Sequence, residues 1–300
     1  MRLSTSQIFQ QAVTVMQTKQ AELAKTQLQL ATGQKILSPS DDPAAATRIL
    51  DLNQVIDTTT QFQRNSDYAV SRLSLEEAVL SDVGNLLQRA RELSVRANND
   101  TLSAGDRNAI AVEIRTNIDA LIQLANSQDA DGGFLFAGFK TDTEPFIGDG
   151  IGNFSYEGDQ GQRSLQIGAR RQISVGDSGD EVFMKIDDGS GGVSSMFDTL
   201  YTFATDLEAN NPSTATLTSL DSAIDAVLNT RASIGARMNT IENQKNANDS
   251  FSLLLQENRS SLEDLDYAEA VSRFEQQLLA LQASQQTFVK IEGLSLFNYL

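Results

Sequence analysis

Near the start of the chain, Phe9, Met16, Leu23 and Leu30 recur every seven positions on a surface otherwise rich in Gln and Thr. Near the finish, Val271, Phe274, Leu278, Leu281 and Phe288 recur in alternating steps of three and four, with Gln285 in the remaining slot. A stripe so narrow is the seam of a coiled coil, not the broad apolar face of a helix lying on a globular core. The spacing predicts terminal helices over 5–31 and 267–296, ~40 and ~45 Å long at the rise of an α-helix. Their flanks are mostly uncharged Gln, Ser and Thr, which suits close packing of many copies because repeated charges would repel. Nine seam residues have to order 57 helical ones, and burial of so few side chains does not offset that loss of entropy. The two ends are therefore expected to pair with each other and with further subunits, to be largely disordered in the free monomer, and to order on assembly.

Between the ends, the pattern predicts more helix. Pro39, Pro43, Pro145 and Pro212 are the four prolines, so none interrupts 44–144. From Leu52, a heptad runs through Val55, Phe62, Ala69, Leu73, Leu80, Val83, Leu87 and Ala90, a helix of roughly 50 residues and ~75 Å. Asp42 is placed to cap it and Pro43 to be its first residue. The stretch Asn98–Ser103 breaks the pattern, and Ser103 with Asp106 has the spacing of a capping box. A second helix then carries Ile110, Ile114, Ile118, Leu121 and Ala125. Helices are also expected over 196–207, 217–228 and 232–262, with a break at Asn210-Asn211-Pro212.

Glycine marks a different region. Fourteen of the 19 glycines lie between Gly132 and Gly192, among aromatic residues and turn pairs such as Asp149-Gly150 and Asp188-Gly189. Short apolar runs between these turns predict strands over 134–139, 153–157, 164–167, 172–175 and 181–186. The resulting fold class is mainly α: a long-helix coiled-coil rod formed by both termini, with a small β-rich inserted outer domain. Three divisions are expected: a terminal-helix domain over 1–48 and 265–300, a helical core over 49–130 and 195–264, and the insert over 131–194.

Composition narrows the chemistry. Lys and Arg number 23 against 40 Asp and Glu, a net charge of −17. No basic field exists to draw nucleic acid or an anionic membrane, and no run approaches the ~20 apolar residues of a membrane span. Cys, His and Trp are absent, which removes disulfides, thiol chemistry and Ser-His catalysis. The opening Met1-Arg2-Leu3-Ser4 lacks the apolar core of a secretory signal; the expectation is either residence in the cytoplasm or export without a cleaved signal. The paired acids Asp41 and Asp42 could be read as a dyad or as metal ligands, but a helix start accounts for them better. The Asp/Gly stretch around 177–191 lacks the spaced, Glu-terminated pattern of a calcium loop and is read as turns. No catalytic residue, cofactor or metal site is expected.

The segment LATGQKILSPSDDPAAATRI, 30–49, resembles the N-terminal hallmark of bacterial flagellins and their relatives, and LLQRARELSVRANNDTLSAGDRNAIAVEI, 86–114, resembles their core-helix region. NDTLSAGDR with DADGGFLFAG at 129–138, and the ending DYAEAVSRFEQQLLALQASQQTFVKIEGLSLFNYL at 266–300, resemble the branch of that family that joins hook to filament. The likeness covers roughly 1–140 and 230–300 and implies a structural, non-enzymatic subunit of the bacterial flagellum. It implies terminal helices lining an axial tube, an outward-facing insert, and export through the flagellar type III channel to the cell exterior. The implied partners are further copies of the chain in a ring, the first hook-associated protein, flagellin and a cytoplasmic export chaperone. It also places Arg89, Glu92 and Leu93 on a surface that packs subunit on subunit and that an animal innate immune receptor recognises in flagellins. A short flagellin is the nearest alternative, and a glycan- or calcium-binding module on helical stalks the more distant one.

Overall fold

The computed structural model describes residues 5–187 and 192–297. The elements are α1 (Thr5–Thr32), α2 (Pro43–Ala97), α3 (Ala104–Ala125), β1 (Phe146–Gly148), β2 (Phe154–Tyr156), β3 (Ser164–Gly168) and β4 (Arg171–Ser174). A π-helical turn (Asp180–Met184), β5 (Ile186–Asp187), β6 (Val193–Ser194), α4 (Met196–Glu208), α5 (Ala215–Glu263) and α6 (Tyr267–Phe297) follow. Helix dominates, as the periodicity predicts. The chain packs as two compact units, one of Met1–Thr58 with Phe251–Leu300 and one of Thr59–Ser250.

Local chemistry explains where the helices begin. The Asp42 carboxylate accepts the Ala45 N–H at 3.0 Å, so it caps α2 ahead of Pro43. Ser103 and Asp106 form the expected reciprocal capping box at the start of α3. The α2–α3 corner is then fastened by Arg107, whose guanidinium donates to the carbonyls of Ala97 and Asn99, both at 3.1 Å, and to Asn210 Oδ1 at 2.8 Å. Thus one arginine satisfies the carbonyls that a helix end leaves open and reaches the turn before α5 as well.

The unit Thr59–Ser250 is built around one apolar cluster. Leu73, Leu80, Leu87 and Ala90 of α2 meet Ile114 and Leu121 of α3, and α5 contributes Leu220, Val227, Ile234 and Ile241, spaced by seven. Position 248 continues that series with Asn; its amide donates to the Ile167 carbonyl at 2.9 Å, so a core slot becomes a tie to β3. Val55, which the sequence pattern puts in the α2 heptad, is instead 39% exposed. In the region of α2 that precedes the second unit, the buried apolar side chains are Leu52 and Ile56.

The glycine-rich region folds as three separate antiparallel hairpins, β1–β2, β3–β4 and β5–β6. Phe136, Phe146 and Phe183 belong to the same core as the helices, while Phe139 is exposed: Phe146 lies 5.2 Å from Phe183 and 5.3 Å from Phe197 of α4, ring centre to ring centre. Two of the expected strands do not form. In 134–139, the Phe134 N–H goes to Thr141 O and the Leu135 N–H to Ser127 O, both at 2.9 Å, so the run is held by turns rather than by a ladder. Gly138, at φ 70°, ends any extension there. In 181–186, Val182 and Phe183 are both buried; neighbours on a strand would face opposite ways, and the π-helical turn turns both inward. The pair Asp188-Gly189 and the chain ends 1–4 and 298–300 lie outside the described residues.

Candidate assembly surface

Within the unit of Met1–Thr58 and Phe251–Leu300, α1 and α6 run side by side. Their contact is seeded at the turn beyond α1. Gly33 takes φ 73°, the left-handed cap that glycine adopts most cheaply, and its N–H closes the helix on Gln29 O at 2.8 Å. Gln34 then bridges to Asp264, with Lys35 N–H donating to Glu263 O at 2.7 Å and Leu265 N–H to Gly33 O at 2.9 Å. A Cβ on Gly33 would sit 2.8 Å from the Tyr267 hydroxyl, so the close approach of the two segments needs glycine twice over. Downstream, the Asp41 carboxylate accepts the N–H groups of Leu37 and Ser38 at 3.1 and 3.2 Å and pairs with Lys25. The Lys25 ammonium and those N–H groups hold the Asp41 carboxyl below its usual range. Asp41 fixes the loop and Asp42 caps the helix; between them they account for both acids structurally.

The seam itself is narrower than the helices. Phe9 and Phe288 meet at 5.1 Å between ring centres. Met16, Leu23, Leu30, Phe274 and Phe288 are half-buried, and Leu281 is buried. The inward positions of α6 are Ala270, Phe274, Gln277, Leu281, Ser284 and Phe288, and those of α1 include Thr26 and Gln29, both buried. Val271 and Leu278, which the sequence pattern assigns to the seam, fall one position off it and remain 45% and 39% exposed. Only the inner part of the apolar stripe meets the other helix. Small and polar slots such as Thr26 and Ser284 were missed, because an apolar count overlooks them; the heptad register alone could have found them.

The residues left outside are large. Among the described side chains, Val15 and Leu28 on α1, with Val271, Leu278, Leu279 and Val289 on α6, are between 39% and 68% exposed. Beside the Phe288 ring, Gln11, Ala12, Val15, Ala283, Ser284 and Thr287 line an open groove of about 420 Å³. Gln277 adds a buried side-chain oxygen without a hydrogen-bond partner. Nothing in this arrangement joins a nucleophile to a base; it offers apolar surface and polar slots at coiled-coil spacing.

The other expected surface lies on α2 in the second unit. Arg89 is half-exposed and donates to Glu113 of α3 at 2.8 Å and to Glu92 at 3.2 Å, and Glu92 is exposed. Leu93 does not belong with them. It is 1% exposed and sits in the core cluster, so it presents no surface to a partner.

The bacterial flagellin N-terminal helical region matches residues 3–141 and the bacterial flagellin C-terminal helical region matches 217–300. Across 99% of both chains, the sequence is 34% identical to the flagellar hook-associated protein 3 of Escherichia coli K12. It is 34% identical to the flagellar filament 41 kDa core protein of Borreliella burgdorferi, but over 35% of this chain and 32% of that one. Among solved structures, the flagellar hook-associated protein 3 of Legionella pneumophila superposes with a TM-score of 0.68 at 22% identity, covering 71% of this chain and 98% of that one. The fold is therefore shared.

Proposed function

The chain belongs to the bacterial flagellin family, among the relatives of flagellar hook-associated protein 3, as a structural subunit of the hook–filament junction and not an enzyme; from that premise we propose that α1 and α6 are the surface through which it assembles. The observation that carries this reading is the apolar row left outside the α1–α6 pair. Among the described residues of these two helices, large apolar side chains such as Val15, Leu28, Leu279 and Val289 and a groove of about 420 Å³ stand uncovered. Copies of the same chain supply matching helices with the same register, so each seam can be completed by a neighbour. We assign 1–48 and 265–300 to this inner layer, 49–130 and 195–264 to a helical core around it, and 131–194 to the outside. Arg89 and Glu92 are then available for packing between subunits.

The first hook-associated protein and flagellin are the partners proposed for the two ends of the ring. Before assembly, the row that later packs between subunits is open, and a cytoplasmic chaperone covering the C-terminal segment suits it, as does export in an unfolded state. Deleting the gene tests the junction role. Hooks without filaments, with monomeric flagellin lost to the medium, are expected. A cell that makes no filament and sheds no flagellin would instead make this chain the filament subunit, the reading favoured by the partial match to the Borreliella filament protein.

A further inference from the structure

A group of charged side chains lies inside the second unit. Glu76, in the core heptad of α2, is 1% exposed. One carboxyl oxygen accepts the Asp177 N–H at 3.0 Å, and the other is buried without a partner. The groups facing it come from three directions. Arg72, one turn earlier on α2, pairs with Asp129 of the turn after α3 and reaches the Leu135 carbonyl at 3.4 Å. Asp177 sits in the stretch between β4 and the π-helical turn. Arg237 of α5 pairs with Asp177, reaches the Ser174 carbonyl at 3.4 Å, and leaves its own Nε buried without a partner. Glu77 beside it faces away and pairs with Arg231 at 2.6 Å.

Two arginines and two aspartates in this group balance one another, so an ionised Glu76 would be a fifth and uncompensated charge. Deep burial makes such a charge expensive. A carboxylic acid is neutral, still accepts the Asp177 N–H, and leaves both ion pairs intact. We propose that Glu76 is a proton-operated latch: protonated, it holds the 174–179 segment of the insert between α2 and α5, and ionised, it lets that segment loosen. The latch does not depend on the assembly role of α1 and α6.

Burial raises the Glu76 carboxyl from an ordinary 4.5 to about 8, with the Asp177 carboxylate adding to the rise and Arg237 and Arg72 opposing it. Between those values, the folded chain holds a proton that the unfolded chain has released. Stability therefore falls as pH rises from about 4.5 to about 8 and levels off above.

Two measurements on the full chain test this. In denaturant titrations, the unfolding constant of the wild type, divided by that of Glu76→Gln, is expected to rise by up to about tenfold per pH unit across that window and then flatten. A ratio that stays constant with pH would overturn the latch. The Asp177 amide resonance of the wild type, which needs no variant, is expected to move with a midpoint near 8; a resonance that stays fixed through that range would overturn it too.

Discussion

In the unit Thr59–Ser250, Leu73, Leu80, Leu87, Ile114, Leu121, Phe136, Phe183 and Phe197 are fully buried in one continuous cluster. In the unit of Met1–Thr58 and Phe251–Leu300, the corresponding cluster is Leu52, Ile56 and Leu255 with Leu262 against it, while Phe9, Leu28, Leu279 and Val289 remain exposed. Both units use long helices with heptad spacing. They differ in how many faces find a partner within the chain: α2 is covered by α3, α5 and the hairpins, whereas among the described residues α1 and α6 pack chiefly on each other. The first arrangement is a protein interior; the second leaves an apolar face open, the face through which we propose that a neighbouring subunit packs.

Removing 266–300 should break this comparison most severely. Assembly in cells should be abolished, because α1 loses its only long partner among the described helices, while calorimetric unfolding of the second unit stays where it is. Filaments built normally by the truncated chain would contradict the assignment of the seam. Next in size, Phe183→Ala should destabilise the second unit by roughly 3–5 kcal/mol, read from denaturant titration, because Phe136, Phe146 and Phe197 all pack on that ring and cannot close the gap. A cost under about 1 kcal/mol would mean that the aromatic cluster is looser than its packing indicates. Smallest of the three, Gly33→Ala should cost about 1–2 kcal/mol through its left-handed backbone, with the crowding of Tyr267 in addition. A thermal scan showing that loss in the first unit and none in the second would sharpen the division between them.

Much of this was legible because it is local. Asp42, Ser103 and Asp106 carry their capping role within four residues of chain, so they can be read without any tertiary knowledge. The helix α2 follows from a seven-residue repeat sustained over many turns, whereas α5 runs unbroken over Ala215–Glu263 where two helices, 217–228 and 232–262, are expected from the sequence. The seam was legible to within one position: Val271 and Leu278 border the contact and Ala270 and Gln277 make it, because apolar size marks a stripe and not its centre line. The hairpins were harder. In 134–139 and 181–185, apolar runs of strand length are held by turns, and Phe136 and Phe183 are drawn to the helix core instead of to a sheet. Long-range polar ties such as Arg107 to Asn210 left no pattern to read, as their partners lie 103 positions apart. Glu76 did leave a signal, a carboxylate in a core slot between Leu73 and Leu80, and Asn248 left another in the series that runs from Leu220 to Leu255.

We propose that other subunits finish the terminal unit. Amide hydrogen exchange on the free chain and on assembled junctions tests it most directly. In the free chain, α1 and α6 should exchange rapidly while 73–97 and 110–121 are protected, and assembly should bring α1 and α6 to comparable protection. Protection of α1 and α6 in the free chain equal to that of the second unit, and unchanged on assembly, would contradict it.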